Sequence, residues 1–149
     1  MDEDIREVVE QYISRFGRGA ILLKLNNGAS ETNVLTIIAN AGVHPYHPLH
    51  ERGEIFIASR GNLDFSSKAS ATAEIRAVLT RVASKLKEKR WSKVFLVPFG
   101  PAPLSLQIKS LVYKILDLET IDVLHAGSGV HFDIELDPRK IAIDAQAEQ

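Results

Sequence analysis

Apolar residues recur along the first seventeen positions with a helical period. Ile5, Val8, Val9, Tyr12, Ile13 and Phe16 stand three and four apart, which is the stripe of an amphipathic helix. Asp2, Glu3 and Asp4 lie at its positive end and Arg15 at its negative end, as the helix dipole favours. Gly17 is its natural stop, because glycine takes the left-handed cap conformation cheaply. The pattern then changes to β type at 20–25 and 34–39, joined by NNGASETN. The Asn27-Gly28 turn signal in that link predicts an antiparallel hairpin. Residues 40–53, with two Pro, two Gly and three His, read as an exposed loop. A strand over Glu54–Ser59, apolar on both faces, is expected to be buried on both sides.

Ser66 or Ser67 caps the next predicted helix, about Lys68 to Lys89, whose stripe is Ile75, Val78, Leu79, Val82 and Leu86. The run Lys93–Val97 reads as a central, fully buried strand, broken by Pro98 to Pro103. A helix follows from Pro103, which suits a first turn, to about Leu118. It is apolar at Leu104, Ile108, Leu111, Val112 and Ile115, with Gln107, Ser110, Lys114 and Asp117 as its polar strip. Strands at 121–125 and 130–136 flank the Gly-rich turn at 126–129, and the tail from Ile141 is expected to fray. The order α-β-β-β-α-β-α-β-β predicts parallel strands at 54–59, 93–97 and 121–125, joined by right-handed crossovers. Antiparallel hairpins are expected at either end. The expected fold is a single three-layer, Rossmann-like α/β domain over 1–149 with a mixed sheet.

Composition narrows the class. A chain of 149 residues, 45% hydrophobic and 25% charged, is globular, which excludes disorder, collagen and coiled coil. No apolar run approaches ~18 residues, so no membrane partner is expected. The start MDEDIREVVE is acidic where a secretory signal would be basic and then apolar. The absence of cysteine excludes disulfide frameworks and thiol catalysis, and suits a reducing, cytoplasmic setting. Net charge is −1, yet residues 76–93 carry seven bases against Glu88 alone, while 1–10 carry five acids against one base. Such a basic stretch fits a phosphorylated ligand or the acidic face of a second copy, or is simply a solvated helix face. Duplex DNA is not expected, since the basic excess does not extend across the domain.

In an open α/β sheet, ligands sit beyond the carboxyl ends of the parallel strands. That rule gathers Arg60-Gly61-Asn62, Pro98 to Pro103 and Ala126 to Gly129, all with small residues that let a ligand approach backbone. Arg60 and Lys68 supply charge there, Ser105 and Gln107 hydrogen bonds, and Phe99 a stacking face. Gly100, Gly127 and Ser128 complete the candidate ligand-binding set. The helix starting at Pro103 is expected to add free N–H groups for a phosphate. Neither a P-loop nor a GxGxxG fingerprint is present, and the same segments also read as ordinary connecting loops. His44, His47 and His50, with Glu51 adjacent, are candidate metal ligands on an extended segment, the alternative being an exposed polar loop. His125 and His131 flank the last turn, where an imidazole suits a general base, the alternative being plain edge-strand positions. Catalytic residues are not apparent, and no cofactor is implied.

The stretch from Ala69 to Leu136 resembles the carboxyl-terminal half of a SAVED domain, and through it the CARF family of Rossmann-like sensors. The resemblance lies in a long helix, the strand Val94-Phe95-Leu96-Val97 closing on Pro98, a helix, the strand Ile121-Asp122-Val123-Leu124-His125 and a last hairpin strand. The chain departs from the pattern in two places. The helix from Pro103 has no internal glycine, and Phe132 stands where tyrosine is usual. The resemblance implies recognition of a cyclic di- or oligonucleotide made by bacterial antiviral signalling enzymes. It also implies pairing with a second copy or a separate effector chain, because a SAVED domain has two such halves. The alternatives are a small phosphodiesterase of the ring-nuclease kind and a structural subunit docking through the 3–16 helix.

Overall fold

A computed structural model describes residues 3–18, 33–42 and 52–147. The chain divides into two compact units, Met1–Thr32 and Asn33–Gln149. The first contains α1 (Glu3–Phe16). It ends where the periodicity predicts: Gly17 takes φ +85° and donates to the Ile13 carbonyl at 2.8 Å.

The second unit is α/β. Its elements are β1 (Val34–Ile38), β2 (Glu54–Ile57), α2 (Lys68–Leu86), β3 (Lys93–Val97), α3 (Ala102–Leu116), β4 (Ile121–His125), β5 (His131–Ile134) and α4 (Pro138–Ala147). The strands form one mixed, Rossmann-like sheet in the order β2-β1-β3-β4-β5. The first four are parallel, and β5 returns antiparallel to β4. Right-handed crossovers in one direction put successive helices on one face, and α2 and α3 indeed pack together there. Val78, Val82 and Leu86 of α2 and Leu104, Ile108 and Val112 of α3 close over Leu35, Ile37, Val94 and Leu96. On the other face Ile38, Val97 and Val123 form a second cluster with Ile55, Ile57, Phe95 and Phe99.

Several sequence expectations change. Val34–Ile38 is not a strand of an antiparallel hairpin within the sheet, since it pairs in parallel with both β2 and β3. Its burial explains this: Leu35 and Ile37 are buried on one face and Thr36 and Ile38 on the other, which suits the interior of a parallel sheet. The strand predicted at 20–25 lies outside the described residues. Strand β2 is outermost among the described strands and only half-buried. Helix α3 stops at Leu116, because Asp117 turns left-handed at φ +55°. The tail from Ile141 belongs to a helix, α4, none of whose residues is buried. Asp137 accepts the Arg139 N–H at 3.0 Å and Pro138 occupies the first turn, a cap-and-proline start that the sequence carries. Ser67 does cap α2, accepting the Ser70 N–H at 3.0 Å.

Candidate ligand site at the carboxyl edge of the sheet

The chain leaves β1 toward β2 on one side, while β3 lies on the other. The crevice beyond the carboxyl ends of β1 and β3 is therefore the topological switch point, where ligands of open α/β sheets bind. Backbone bonds stitch three loops together at this edge. The Ala39 N–H donates to the Val97 carbonyl at 3.0 Å, Ala41 to Ser59 at 2.9 Å and Gly61 to Ala41 at 2.8 Å. Ser59 Oγ adds a bond to the Ala39 carbonyl at 2.6 Å. Asn40 sits at the centre. Its Nδ2 donates to the Gly61 carbonyl at 2.9 Å, which fixes the amide orientation and turns Oδ1 the other way. A Cβ on Gly100 would stand 2.7 Å from the Asn40 Cβ, and its φ is +89°. Only glycine fits there.

Two polar atoms at this edge have no hydrogen-bond partner among the described residues: Asn40 Oδ1 and Ser105 Oγ, the latter in the first turn of α3. Their residues are 3% and 7% exposed. An unsatisfied buried polar atom costs about 1–3 kcal/mol, so its persistence in a fold asks for a reason. Asn40 was not a sequence candidate. It reads as part of an exposed loop, yet it is buried, and its only signal is its place directly after a β-type run.

The candidates predicted from sequence separate into two groups. Arg60, paired through its backbone with Ala41, is exposed on the same edge as Gly100, and Asn62 is exposed beside it. Lys68 opens α2 and is exposed. Gly127 and Ser128 lie in the turn after β4, one strand along from Gly100. That turn closes through the Ala126 N–H to the Val130 carbonyl and the Val130 N–H to the Gly127 carbonyl, both 2.9 Å. Two candidates do not join the group. Gln107 is about 200° around the helix from Ser105 and lines a groove between α2 and α3 with Thr72, Ile75 and Leu111. Phe99 packs into the second-face cluster, which opposes a stacking role. The expected phosphate cradle at the start of α3 is also thin. Pro103 has no N–H, and Leu104 and Ser105 both donate to the Pro101 carbonyl, at 3.1 and 3.5 Å.

Three of the seven bases of 76–93 are occupied by the fold. Lys85 and Lys89 both pair with Glu54, and Arg81 donates to the Ala58 carbonyl at 2.9 Å. The two ammonium groups hold the Glu54 carboxyl below its ordinary range, and Glu54 in turn raises Lys85. A cavity of about 570 Å³ lies at the opposite, amino edge, lined by Lys93, Tyr113, Asp117, Glu119, Glu135 and Arg139 among others. It is a weak anion site, because acids predominate in its wall, Asp117 pairs with Arg139, and the carbonyl end of α3 points into it. His44, His47 and His50 lie outside the described residues. Among the described residues no group of three metal-ligating side chains occurs. No helix among them is long and apolar enough to cross a membrane.

The fold and the site define an α/β domain with two buried, unpartnered polar atoms at the carboxyl edge of its sheet. Comparisons of the chain with protein-family models, curated proteins and solved structures each find no match.

Proposed function

We propose that the protein is a nucleotide-sensing module that binds a cyclic oligonucleotide second messenger of a bacterial antiviral signalling system at the carboxyl edge of its sheet. The observation that carries the reading is a pair of unpartnered polar atoms at the carboxyl edge of the sheet: Asn40 Oδ1, whose side chain packs against Gly100, and Ser105 Oγ in the first turn of α3. An amide oxygen accepts from a base amino group or a ribose hydroxyl, and a serine hydroxyl donates to a phosphate or ribose oxygen. Together they suit a nucleotide better than bare phosphate. Arg60 on the same edge brings a guanidinium able to grip phosphate with two parallel bonds. The resemblance over 69–136 supplies the ligand class.

The module works as a homodimer, or with a separate effector chain. Strand β5 is the last strand of the sheet among the described residues, and an antiparallel edge strand pairs with its own copy across a two-fold axis. Centred on Phe132, that pairing sets Phe132 against Phe132, Val130 against Ile134 and His131 against Asp133. The apolar side chains involved are exposed, Phe132 at 52%, Val130 at 47% and Ile134 at 37%.

Thermal-shift titration with cyclic di-, tri- and tetranucleotides tests the sensing role, because binding to the native state raises its stability. One of these ligands is expected to raise the melting temperature. Arg60→Ala then weakens binding by about 1.5–3 kcal/mol, the range for a charged hydrogen bond. Ser105→Ala costs about 0.5–1.5 kcal/mol of affinity but no stability of the free protein, because it deletes a buried hydroxyl that bonds to nothing described. No shift with any of the three ligand sizes, or an unchanged titration for Arg60→Ala, overturns the reading. A second reading, phosphodiester cleavage, is favoured by one observation: His125 and His131 stand together at the same edge, as an acid and base would. Chromatography of the cyclic nucleotide after incubation separates the two, since a sensor returns it intact.

A further inference from the structure

We infer that His125 and His131 form a two-imidazole chelate for a divalent transition-metal ion of the copper(II) or nickel(II) class, a site independent of the nucleotide reading. Antiparallel pairing sets the two residues directly opposite each other, at the last position of β4 and the first of β5. Directly paired residues project to the same face of a sheet. The tight turn between them, closed by the two 2.9 Å backbone bonds between 126 and 130, holds the strand ends in register. The chelate is therefore assembled before any ion arrives, which removes much of the ordering cost of binding.

The geometry selects the class of ion. His125 Nδ1 and His131 Nε2 are 2.9 Å apart. With metal–nitrogen bonds of about 2.0–2.1 Å, nitrogens at a 90° angle stand about 2.9 Å apart, whereas a tetrahedral angle separates them by about 3.3 Å. The contact is a ring-to-ring hydrogen bond, and an ion that displaces the shared proton finds the two nitrogens already near the spacing of neighbouring corners of a square. The ring centroids are 4.7 Å apart and the planes are inclined by 40°, so the rings lean together rather than standing end to end. Square-planar or tetragonal coordination is the preference of copper(II) and nickel(II), and imidazole suits both. The nearest carboxylate on this strand face, Asp133, is held by Arg52 at 2.5 Å. Among the described residues the site thus offers two nitrogens. His125 is exposed and His131 half-buried, so an ion has open access.

The test uses the full chain without a purification tag, in a buffer that does not chelate metals, titrated with copper(II) chloride and followed by calorimetry and electron paramagnetic resonance. One equivalent is expected to bind with an axial spectrum showing two equatorial nitrogens. His125→Gln and His131→Gln each weaken that site at least about tenfold and leave one nitrogen coupling. The triple variant His44→Gln/His47→Gln/His50→Gln keeps it. Nickel(II) is expected at the same residues with lower affinity, following the order of divalent-ion stability. Unchanged affinity in either single variant, loss of the site in the triple variant, or fewer than two equatorial nitrogens in the unaltered protein overturns the inference. The spectrum of the unaltered protein decides even if a variant folds poorly.

Discussion

Glu54 opens β2 with two ammonium groups on its carboxylate, those of Lys85 and Lys89, and these bonds tie the edge of the sheet to α2. The pairing depresses the Glu54 pKa below 4.5 and raises that of Lys85 above 10.5. A depressed carboxyl stabilises the fold at pH values above 4.5 and loses that contribution as the pH falls through its folded value. A raised ammonium stabilises below 10.5 and loses its contribution as the pH rises through its folded value. Denaturant midpoints followed from pH 7 to 3 are therefore expected to fall more for the natural protein than for Glu54→Gln. Equal slopes would remove this ion-pair cluster from the acid sensitivity of the fold. The effect is small, since the carboxylate is 38% exposed and solvent screens such pairs. At this scale the sequence is a poor guide to partners. The bases of 76–93 read more readily as a solvated face than as a ligand face, and three of them prove to be structural.

Element by element, hydrophobic period and cap chemistry read well. The stripe of α2 and its serine cap, the limits of β3 and β4, and the Gly-rich turn after β4 all stand where the pattern puts them. Strand β3 is central, with Leu96 2% exposed between two parallel neighbours and beneath α2 and α3. Leu96→Ala is expected to cost about 2–5 kcal/mol, measured by chemical denaturation, and a loss below about 1 kcal/mol would mean the site collapses around the deletion. Phe95, the preceding residue on the other face, is only half-buried and carries the Arg52 guanidinium 4.3 Å from its ring centroid. The misreadings share a cause. Asp117 reads as the last polar position of a helix but caps it instead, and β1 reads as half of a hairpin because a nearby Asn-Gly turn is a local signal. The strand's true neighbours are 19 and 59 residues away.

Across the whole unit, α3 is the last helix to cover its face of the sheet among the described residues. Leu96 pairs with Asp122, so Leu124, Phe132 and Ile134 continue the same face beyond it. There Lys109 of α3 bonds Asp122 at 3.0 Å, and Leu124 is 51% exposed. An apolar edge strand left open is a template for further pairing. Light scattering is expected to give the mass of two chains, and Phe132→Asp to give one chain with the fold intact, since the side chain already meets solvent. A single-chain mass for the unaltered protein at high concentration, with and without nucleotide, would rule out the dimer.

The chain by itself determined the elements that depend on near neighbours: α1 with its glycine stop, the two core helices, the apolar strands and the rule that points to their carboxyl edge. Periodicity and capping act over three or four residues, and the sequence displays them directly. Only the tertiary structure decided which strand stands beside which, and with that the switch point between β1 and β3. It alone brought Asn40 under Gly100, 60 residues apart. It alone set His125 against His131 at 2.9 Å. Contacts of this kind depend on strand order and register, which packing over the whole sheet selects and no local run of residues records.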